Sequence, residues 1–416
     1  MKNNNLKWIL VAGARPNFMK IGPLIRAIRK FNTGNGFKIS PYLVHTGQHY
    51  DEKMSTFFFR DLDLPNPNVY LGVGSGNHGE QTGKILIQFE KILLKENPDL
   101  VIVVGDVNST LACALAAVKL HIPIAHVEAG LRSFDKKMPE EINRILTDAI
   151  SDYLFTPSPD GDENLIREGV PLEKIFMVGD IMVDSLIFNL DRARKTDILQ
   201  RLGLLEKSIE QEKDKTLKKD LLKSATIPYA LLTLHRPSNV DNKKVLTRIL
   251  DGLMQVASLL PIMFPIHPRT LKQVKTFGLG NYFAFHASST FDQTDYFVEG
   301  KLKNIIHCIE PLGYLEFLNL MSQAKIVLTD SGGIQEETTV LNIPCLTLRD
   351  STERPITIKY GTNVLVKDDP KKIVSEAHNV LMGKSKKGSC PHMWDGRSAD
   401  RIVKVLVEKT CRHRAC

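Results

Sequence analysis

Short apolar runs alternate along the chain with longer stretches whose apolar residues recur every three or four positions. WILVAGA (8–14) reads as a strand buried on both faces, and MKIGPLIRAIRKF (19–31) as the helix that follows it. Runs at 40–47, 99–106, 123–130 and 152–158 predict further strands, with helical spacing at 80–96, 109–120 and 140–150 between them. The second half repeats the scheme, with strands at 229–235, 261–268, 305–311, 324–332, 344–350 and 362–368. Strands without a polar face, separated by helices, predict parallel doubly wound α/β sheets. Two such domains facing across a cleft would place a ligand at the carboxyl ends of their strands. The charge-dense segment 191–226, with helical spacing of Leu and Ile, reads as a solvated helix pair near the domain junction.

Length supports two domains, each with its own core, since the chain has 416 residues. The 55 Lys and Arg against 47 Asp and Glu leave a net charge of +8, which fits either a phosphate-bearing ligand or ordinary surface solubility. No basic stripe predicts a nucleic-acid partner. No run is long enough to span a membrane, and the apolar run near the N-terminus is too short for a signal peptide. The six cysteines lack metal-ligand spacing, and Cys113, Cys308 and Cys345 sit in apolar runs, as reduced thiols of a cytoplasmic protein do. No metal and no cofactor is expected.

Unusual residues collect at the predicted strand ends. GARPNFMK (13–20) offers Arg15 and Lys20 at the mouth of a helix, suited to a phosphate or to nothing beyond a surface turn. VVGDVNST (103–110) ends a strand on Asp106, either a helix cap or a group in the cleft. VEAGLRSFDKKMPEEINR (127–144) crowds Glu128, Glu140 and Glu141 with Arg132 and Arg144. LTLHRPSNVD (232–241) places His235 and Arg236 at a strand end. LTDSGGIQEE (328–337) carries the strongest signal: Ser331, Gly332 and Gly333 at a helix N-terminus would accept an anion, with Glu337 one turn further on. The loop after the next strand adds Arg354. GSGNHG (74–79) imitates a dinucleotide turn, but the run NVYL before it is short, and Asp99 and Asp106 do not fit the acidic residue about twenty positions on that such a site needs. GEQTGK (79–84) imitates a P-loop with short spacing, and Ile85 stands where the magnesium-binding hydroxyl belongs.

Together GARPNFMKIGPLI, TGQHYDEKM, GDVNSTLA, HVEAGLRS, MPEEINR, LHRPSNVD, HPRT, EPLGYLEF, TDSGGIQEE and STERP, in order from residue 13 to 355, resemble the UDP-N-acetylglucosamine 2-epimerase family. The non-hydrolysing type is most similar. The resemblance implies a GT-B arrangement: an N-terminal Rossmann-like domain over 1–190 completed by a C-terminal helix at 393–416, and a UDP-binding domain over 191–392. It implies elimination of UDP across C1–C2 to a glycal and re-addition with C2 inverted, which needs acid–base groups and a stabilised diphosphate but no hydride acceptor. By position, Asp106, Glu128 and Glu140 correspond to the acid–base carboxylates and His235 to the histidine at the diphosphate. Arg15, Lys20 and Arg354 correspond to cationic positions around the nucleotide and sugar. Arg236 joins the substrate-binding set beside His235, and Arg132 and Arg144 are candidates for holding Glu128 and Glu140, Arg144 lying four residues after Glu140 on the same helix face. Ser331, Gly332 and Gly333 match the phosphate turn, Glu337 the ribose carboxylate and Phe317 the residue beside uracil. Gln48 and His49 match an activator site for a second UDP-sugar, although Asp51 stands where Gln is typical and a glycine-rich loop at 72–79 replaces an arginine-bearing one. A homodimer is implied. Alternatives are a hydrolysing relative that releases ManNAc and UDP, an epimerase of a UDP-diacetamido sugar, a GT-B glycosyltransferase and a nucleotide-sugar sensor.

Overall fold

The computed structural model describes residues 5–34, 36–47, 62–205, 226–286, 297–298, 301–302 and 304–415. The chain divides into two compact units, one of residues 1–189, 353–356 and 391–416, the other of 190–352 and 357–390. Glu353–Ile356 therefore packs with the first unit although it lies far along the chain.

The first unit is a seven-stranded sheet of β1 (Asn5–Ala12), β2 (Lys38–His45), β3 (Val69–Tyr70), β4 (Leu100–Val104), β5 (Ile124–Val127), β6 (Tyr153–Thr156) and β7 (Ile175–Met177). Their spatial order is 3-2-1-4-5-6-7 and every pairing is parallel. All five side chains of β4 are buried, as expected where helices cover both faces. Crossovers run through α1 (Arg15–Asn32), α2 (His78–Glu96), α3 (Asn108–Lys119), α4 (Pro139–Ile150) and α5 (Pro159–Arg167), with α6 (Ile181–Ala193) leaving the sheet. Ile9, Val11, Val101 and Val103 of the strands meet Ile85, Phe89 and Leu93 of α2 and Cys113 of α3 in one core.

The second unit has β8 (Ala230–Thr233), β9 (Ile262–Pro265), β10 (Phe283–Phe285), β13 (Ile306–Ile309), β14 (Ile326–Thr329), β15 (Cys345–Thr347) and β16 (Asn363–Leu365); β11 (Phe297–Val298) and β12 (Lys301–Leu302) form a separate antiparallel pair. The order of the main sheet is 10-13-9-8-14-15-16, again parallel throughout. Its helices are α7 (Ile198–Arg201), α8 (Pro237–Val240), α9 (Lys243–Ala257), α10 (Pro268–Phe277), α11 (Tyr314–Ser322), α12 (Gly332–Leu341), the end of α13 (Pro355–Lys359), which starts in the first unit, and α14 (Pro370–Leu381). Leu232, Leu250, Leu253, Ile262, Phe264, Ile326 and Leu328 anchor the second core. The final helix, α15 (Ser398–Ala415), packs on α1 of the first unit.

Sequence and structure agree on each of the predicted strands, with ends shifted by a few residues, while β3, β7, β10, β11 and β12 are additions. Most of the predicted helix pair at 191–226 lies outside the described residues; within it α7 is a single turn, and Leu205 pairs with Thr226. No described helix is long and apolar enough to cross a membrane.

In each unit the strand order reverses at one point, between β1 and β4 and between β8 and β14. Open parallel sheets bind ligands at the carboxyl ends of strands flanking that point. Arg15, Asp106, His235 and Ser331 follow these very strands, while Glu128 and Arg354 follow the neighbouring β5 and β15.

Candidate active site

At the switch point of the first unit, β1 turns into α1 through Gly13 and Ala14, whose amides both donate to Asn17 Oδ1 at 2.9 Å. Asn17 Nδ2 in turn donates to the Val104 carbonyl at the end of β4, 3.0 Å away. That side chain fastens the two flanking strands together, and the sequence reading passed over it. Arg15 opens α1, and Lys20 lies buried one turn further on.

Gly105 follows β4 with φ +68°, a conformation that leaves room for two neighbours: a Cβ there would sit 2.8 Å from Lys20 Nζ and 3.4 Å from Glu128 Oε2. Asp106 comes next. Its Oδ2 accepts from Arg144 Nη2 at 2.8 Å and Nε at 3.1 Å, and its side chain stays 30% exposed. Burial pushes the Asp106 carboxyl up, but Arg144, Lys20 and Arg354 outweigh it and hold the group below the usual carboxylate range. Asp106 is thus ionised at neutral pH while still reachable.

Glu128 directly follows β5 with φ +74°, unusual for a residue with a side chain and a recurrent mark of functional positions. Its two oxygens are divided between cations, Oε2 with Lys20 and Oε1 with Arg354 Nη2. Both cations are buried, so a carboxylate that would otherwise be costly to bury is held charged by direct pairing. Arg354 joins the first unit through this contact, together with its neighbour Glu353 at 3.5 Å.

The adjacent glutamates at the start of α4 diverge. Glu141 is buried and takes the Ser133 and Phe134 amides at 2.9 Å and Arg144 Nη1 at 2.5 Å. Glu140 is half-buried and makes no hydrogen bond or ion pair with the described residues. Arg144 therefore bridges Asp106 and Glu141 and does not make the pair with Glu140 that their four-residue spacing suggests, because Glu141 is the glutamate that turns inward; among the described residues the Glu140 carboxylate has no partner. Arg132 is buried against Asp148 Oδ2 at 2.7 Å and Glu168 Oε2 at 2.6 Å, a structural brace behind the loop.

Asp180, which sequence reasoning missed, ends the segment after β7. It is 1% exposed, its Oδ1 accepts the Met182 amide at 2.8 Å, and Oδ2 is buried without a hydrogen bond. Burial pushes its carboxyl up to about 6, moderated by the Met182 amide and the charges of Arg354 and Lys20. A signal was present: Val178–Gly179–Asp180 repeats the Val104–Gly105–Asp106 tripeptide.

In the second unit Asp330 organises the switch point. Its Oδ2 accepts the His235 and Arg236 amides at 2.9 and 2.7 Å, and Oδ1 faces His235 Nδ1 at 3.1 Å. Burial raises the Asp330 carboxyl, but His235 and these amides bring it below the usual range. An ionised Asp330 fixes the backbone at the end of β8 and lies against the His235 ring, whose side chain is 37% exposed. Ser331 caps α12, which begins at Gly332 and Gly333, so the free amides and partial positive charge of a helix start lie beside His235's anchor. Glu337 is buried further along α12 and accepts from Tyr314 Oη at 3.1 Å. Tyr314 and the half-buried Phe317 share α11, packed against α12.

The site residues thus form two sets: Asp106, Glu128, Glu140, Lys20, Arg144 and Arg354 in the first unit, and His235, Arg236, Ser331, Gly332, Gly333, Glu337 and Phe317 in the second. Gln48 and His49 lie outside the described residues. The first unit thus holds carboxylates beside cations after its strands, a composition suited to proton transfer, and the second holds a helix start whose amides could accept an anion next to His235.

Residues 33–407 match the family model described as UDP-N-acetylglucosamine 2-epimerase. The UDP-N-acetylglucosamine 2-epimerase of Methanocaldococcus jannaschii is 45% identical over 97% of this chain and 99% of its own. Its crystal structure in complex with UDP-GlcNAc and UDP superposes with a TM-score of 0.79, covering 97% of this chain and 100% of that one. A UDP-2,3-diacetamido-2,3-dideoxy-D-glucuronate 2-epimerase of Pseudomonas aeruginosa is 38% identical over 97% of this chain and 100% of its own. On this evidence the chain belongs to the UDP-N-acetylglucosamine 2-epimerase family, isomerases that act on sugar nucleotides.

Proposed function

We propose that the protein is a non-hydrolysing UDP-GlcNAc 2-epimerase that interconverts UDP-GlcNAc and UDP-ManNAc through a glycal. The C2 proton of the sugar is not activated by a carbonyl, so its removal has to be coupled to departure of UDP from C1. Removal of the proton and cleavage of the C1–O bond leave a C1–C2 double bond and free UDP. Re-addition of UDP at C1 with a proton delivered to the other face of C2 completes the inversion. Two acid–base groups and a stabilised diphosphate are required.

The observation that carries the reading is the trio of carboxylates in the first unit: Asp106 ionised beside Arg144 and Glu128 paired to Lys20 and Arg354 just after their strands, and Glu140 at the start of α4 without a partner among the described residues. A glycosyltransferase or a sensor would have no need of this trio. We assign Asp106, Glu128 and Glu140 to proton transfer and His235, held by Asp330, to the departing diphosphate. Ser331, Gly332 and Gly333 receive the diphosphate at the start of α12, with Arg236 beside them. Glu337 takes the ribose hydroxyls and Phe317 flanks the uracil. Arg15, Lys20 and Arg354 supply positive charge around the substrate, and Arg132 and Arg144 position the loop and the carboxylates. We place the reaction in the cytoplasm, which the buried free thiols of Cys113, Cys308 and Cys345 support, and the working form as a homodimer.

A second reading, that the sugar is a diacetamido uronate, is favoured by the 38% identity to the Pseudomonas aeruginosa relative. The chemistry at C2 would be the same. Incubation with each UDP-sugar in deuterated water, followed by NMR, tests both readings. Deuterium at C2 of intact UDP-sugars is expected; free ManNAc with UDP would establish a hydrolase, and absence of exchange with either sugar would refute the epimerase reading. Asp106→Asn should lower C2 exchange by about 10²- to 10⁴-fold while UDP still binds. A folded Asp106→Asn protein that exchanges at the wild-type rate would remove Asp106 from the proton-transfer role.

A further inference from the structure

His126 is the one charged-type residue in the buried strand β5, 0% exposed among apolar neighbours. Burying an imidazole is costly unless both nitrogens are bonded, and here both are. Nε2 lies 2.9 Å from the Gly105 carbonyl, and since a carbonyl and a carboxylate only accept, Nε2 donates to Gly105 and Nδ1 to Asp148. Nδ1 lies 2.6 Å from Asp148 Oδ1. The other oxygen of Asp148 accepts from the Gly130 amide at 3.1 Å and pairs with Arg132 Nη2 at 2.7 Å. Arg132 continues to Glu168, with Nε to Oε1 at 2.8 Å and Nη2 to Oε2 at 2.6 Å.

This chain of bonds touches each segment that bears a carboxylate of the proposed site. The Gly105 carbonyl belongs to the peptide unit that leads into Asp106. His126 and Gly130 bracket Glu128 on one strand and its exit turn. Asp148 lies on α4, the helix that carries Glu140 and Arg144. Burial raises the Asp148 carboxyl, but His126 and Arg132 bring it below the usual range, consistent with an ionised acceptor at the hub.

We propose that His126, locked by Asp148 and Arg132, is a positioning residue that holds the Gly105–Asp106 peptide, and with it the Asp106 carboxylate, in register with Glu128 and Glu140. The inference rests on the epimerase reading above. It locates the decisive contact at Nε2 with Gly105; the link to Asp148 serves to aim the ring. A displacement of a reacting group by about 1 Å is enough to lose on the order of 100-fold in rate, so the network acts on turnover and leaves nucleotide affinity alone.

Two amide substitutions separate the two ring contacts. Glutamine can present its amide near the Nε2 position and still donate to Gly105; asparagine reaches only the Nδ1 position and loses that contact. C2 deuterium exchange on UDP-GlcNAc gives kcat and KM, and UDP affinity is titrated separately. His126→Asn should lose about 100-fold in kcat with UDP affinity and KM close to wild type, and His126→Gln should retain exchange within about tenfold of wild type. Equal losses in both variants, no loss in either, or losses that follow UDP affinity would overturn the proposal. If either variant does not fold, Asp148→Asn, nearly isosteric, tests the same network from its far side: a lower kcat at unchanged UDP affinity is expected, and wild-type turnover would overturn it. Wild-type exchange serves as the control. Should the wild type exchange neither UDP-sugar, the epimerase reading fails instead.

Discussion

Glu337 shows how far a single side chain can depend on what fills its site. It is 5% exposed, and burial pushes its carboxyl up to about 7, with the Tyr314 hydroxyl opposing and Glu336 adding to the rise. An acid whose folded pKa lies above its unfolded value near 4.5 favours the folded state fully below that value, and the advantage disappears as pH rises towards 7. Across that window the loss amounts to roughly 3 kcal/mol. Glu337→Gln should therefore abolish this part of the decline between about pH 4.5 and 7 in urea melts, and in the proposed function it should weaken UDP binding. An unchanged pH slope in the variant would show that Glu337 is ionised throughout. The same scale marks where sequence reading stops. Glu140 and Glu141 are neighbours about 100° apart around the helix axis, and only the position of the Met138 cap decides which one turns inward to the Ser133 and Phe134 amides. His126 lay inside a quoted motif, but its meaning depends on Gly105 and Asp148, brought to it by two other segments.

Among the elements, the long apolar runs were legible because a strand buried on both faces has no other composition. Their ends were less so. The run at 99–106 continues past β4 because Val, Gly and Asp form the site turn, where the positive φ of Gly105 ends the strand. The strands that went unread, β3, β7, β10, β11 and β12, have only two or three residues each, too few for a periodicity. The start of α15 depends on a different kind of contact. Asp184, on α6, accepts the Ser398 amide through Oδ1 at 3.0 Å and the Ala399 amide through Oδ2 at 2.8 Å, a helix cap supplied from elsewhere in the chain. Removing such a cap costs about 1–2 kcal/mol. Asp184→Ala should therefore speed hydrogen exchange of the first-turn amides of α15 by about 5- to 30-fold, with Asp184→Asn in between. Unchanged protection would mean that packing of α15 on α1 alone holds the helix start. The exposed Lys30–Asp400 pair at 2.6 Å contributes little in comparison.

For the whole molecule, the alternation of runs was enough to predict two doubly wound sheets, and the placement of the site residues follows from the point where each strand order reverses. The exchange of Glu353–Ile356 into the first unit was not legible, because it rests on the pairing of Arg354 with Glu128, 226 residues away, and no local pattern reports such a contact. Assembly is the last level at which the surface can be argued. On α4 the inward face carries Glu141, Arg144 and Asp148, while Ile142 and Leu146 are 39% and 46% exposed on the outer one. Phe134 in the preceding loop is 70% exposed, and Ile87 and Leu94 of α2 are 57% and 67% exposed. Helices α2 and α4 flank α3, so these apolar side chains lie on one side of the first unit. Scattered exposed leucines need no explanation, but apolar groups gathered along neighbouring helices mark a contact surface, and a second copy of the same chain is the occupant that the proposed homodimer requires. Ile142→Glu combined with Leu146→Glu should convert a sedimenting dimer into a monomer while leaving the buried Glu141–Arg144–Asp106 arrangement intact. A wild-type chain that sediments as a single copy at micromolar concentration would refute the dimer, and a double variant that remains dimeric would move the interface to another face.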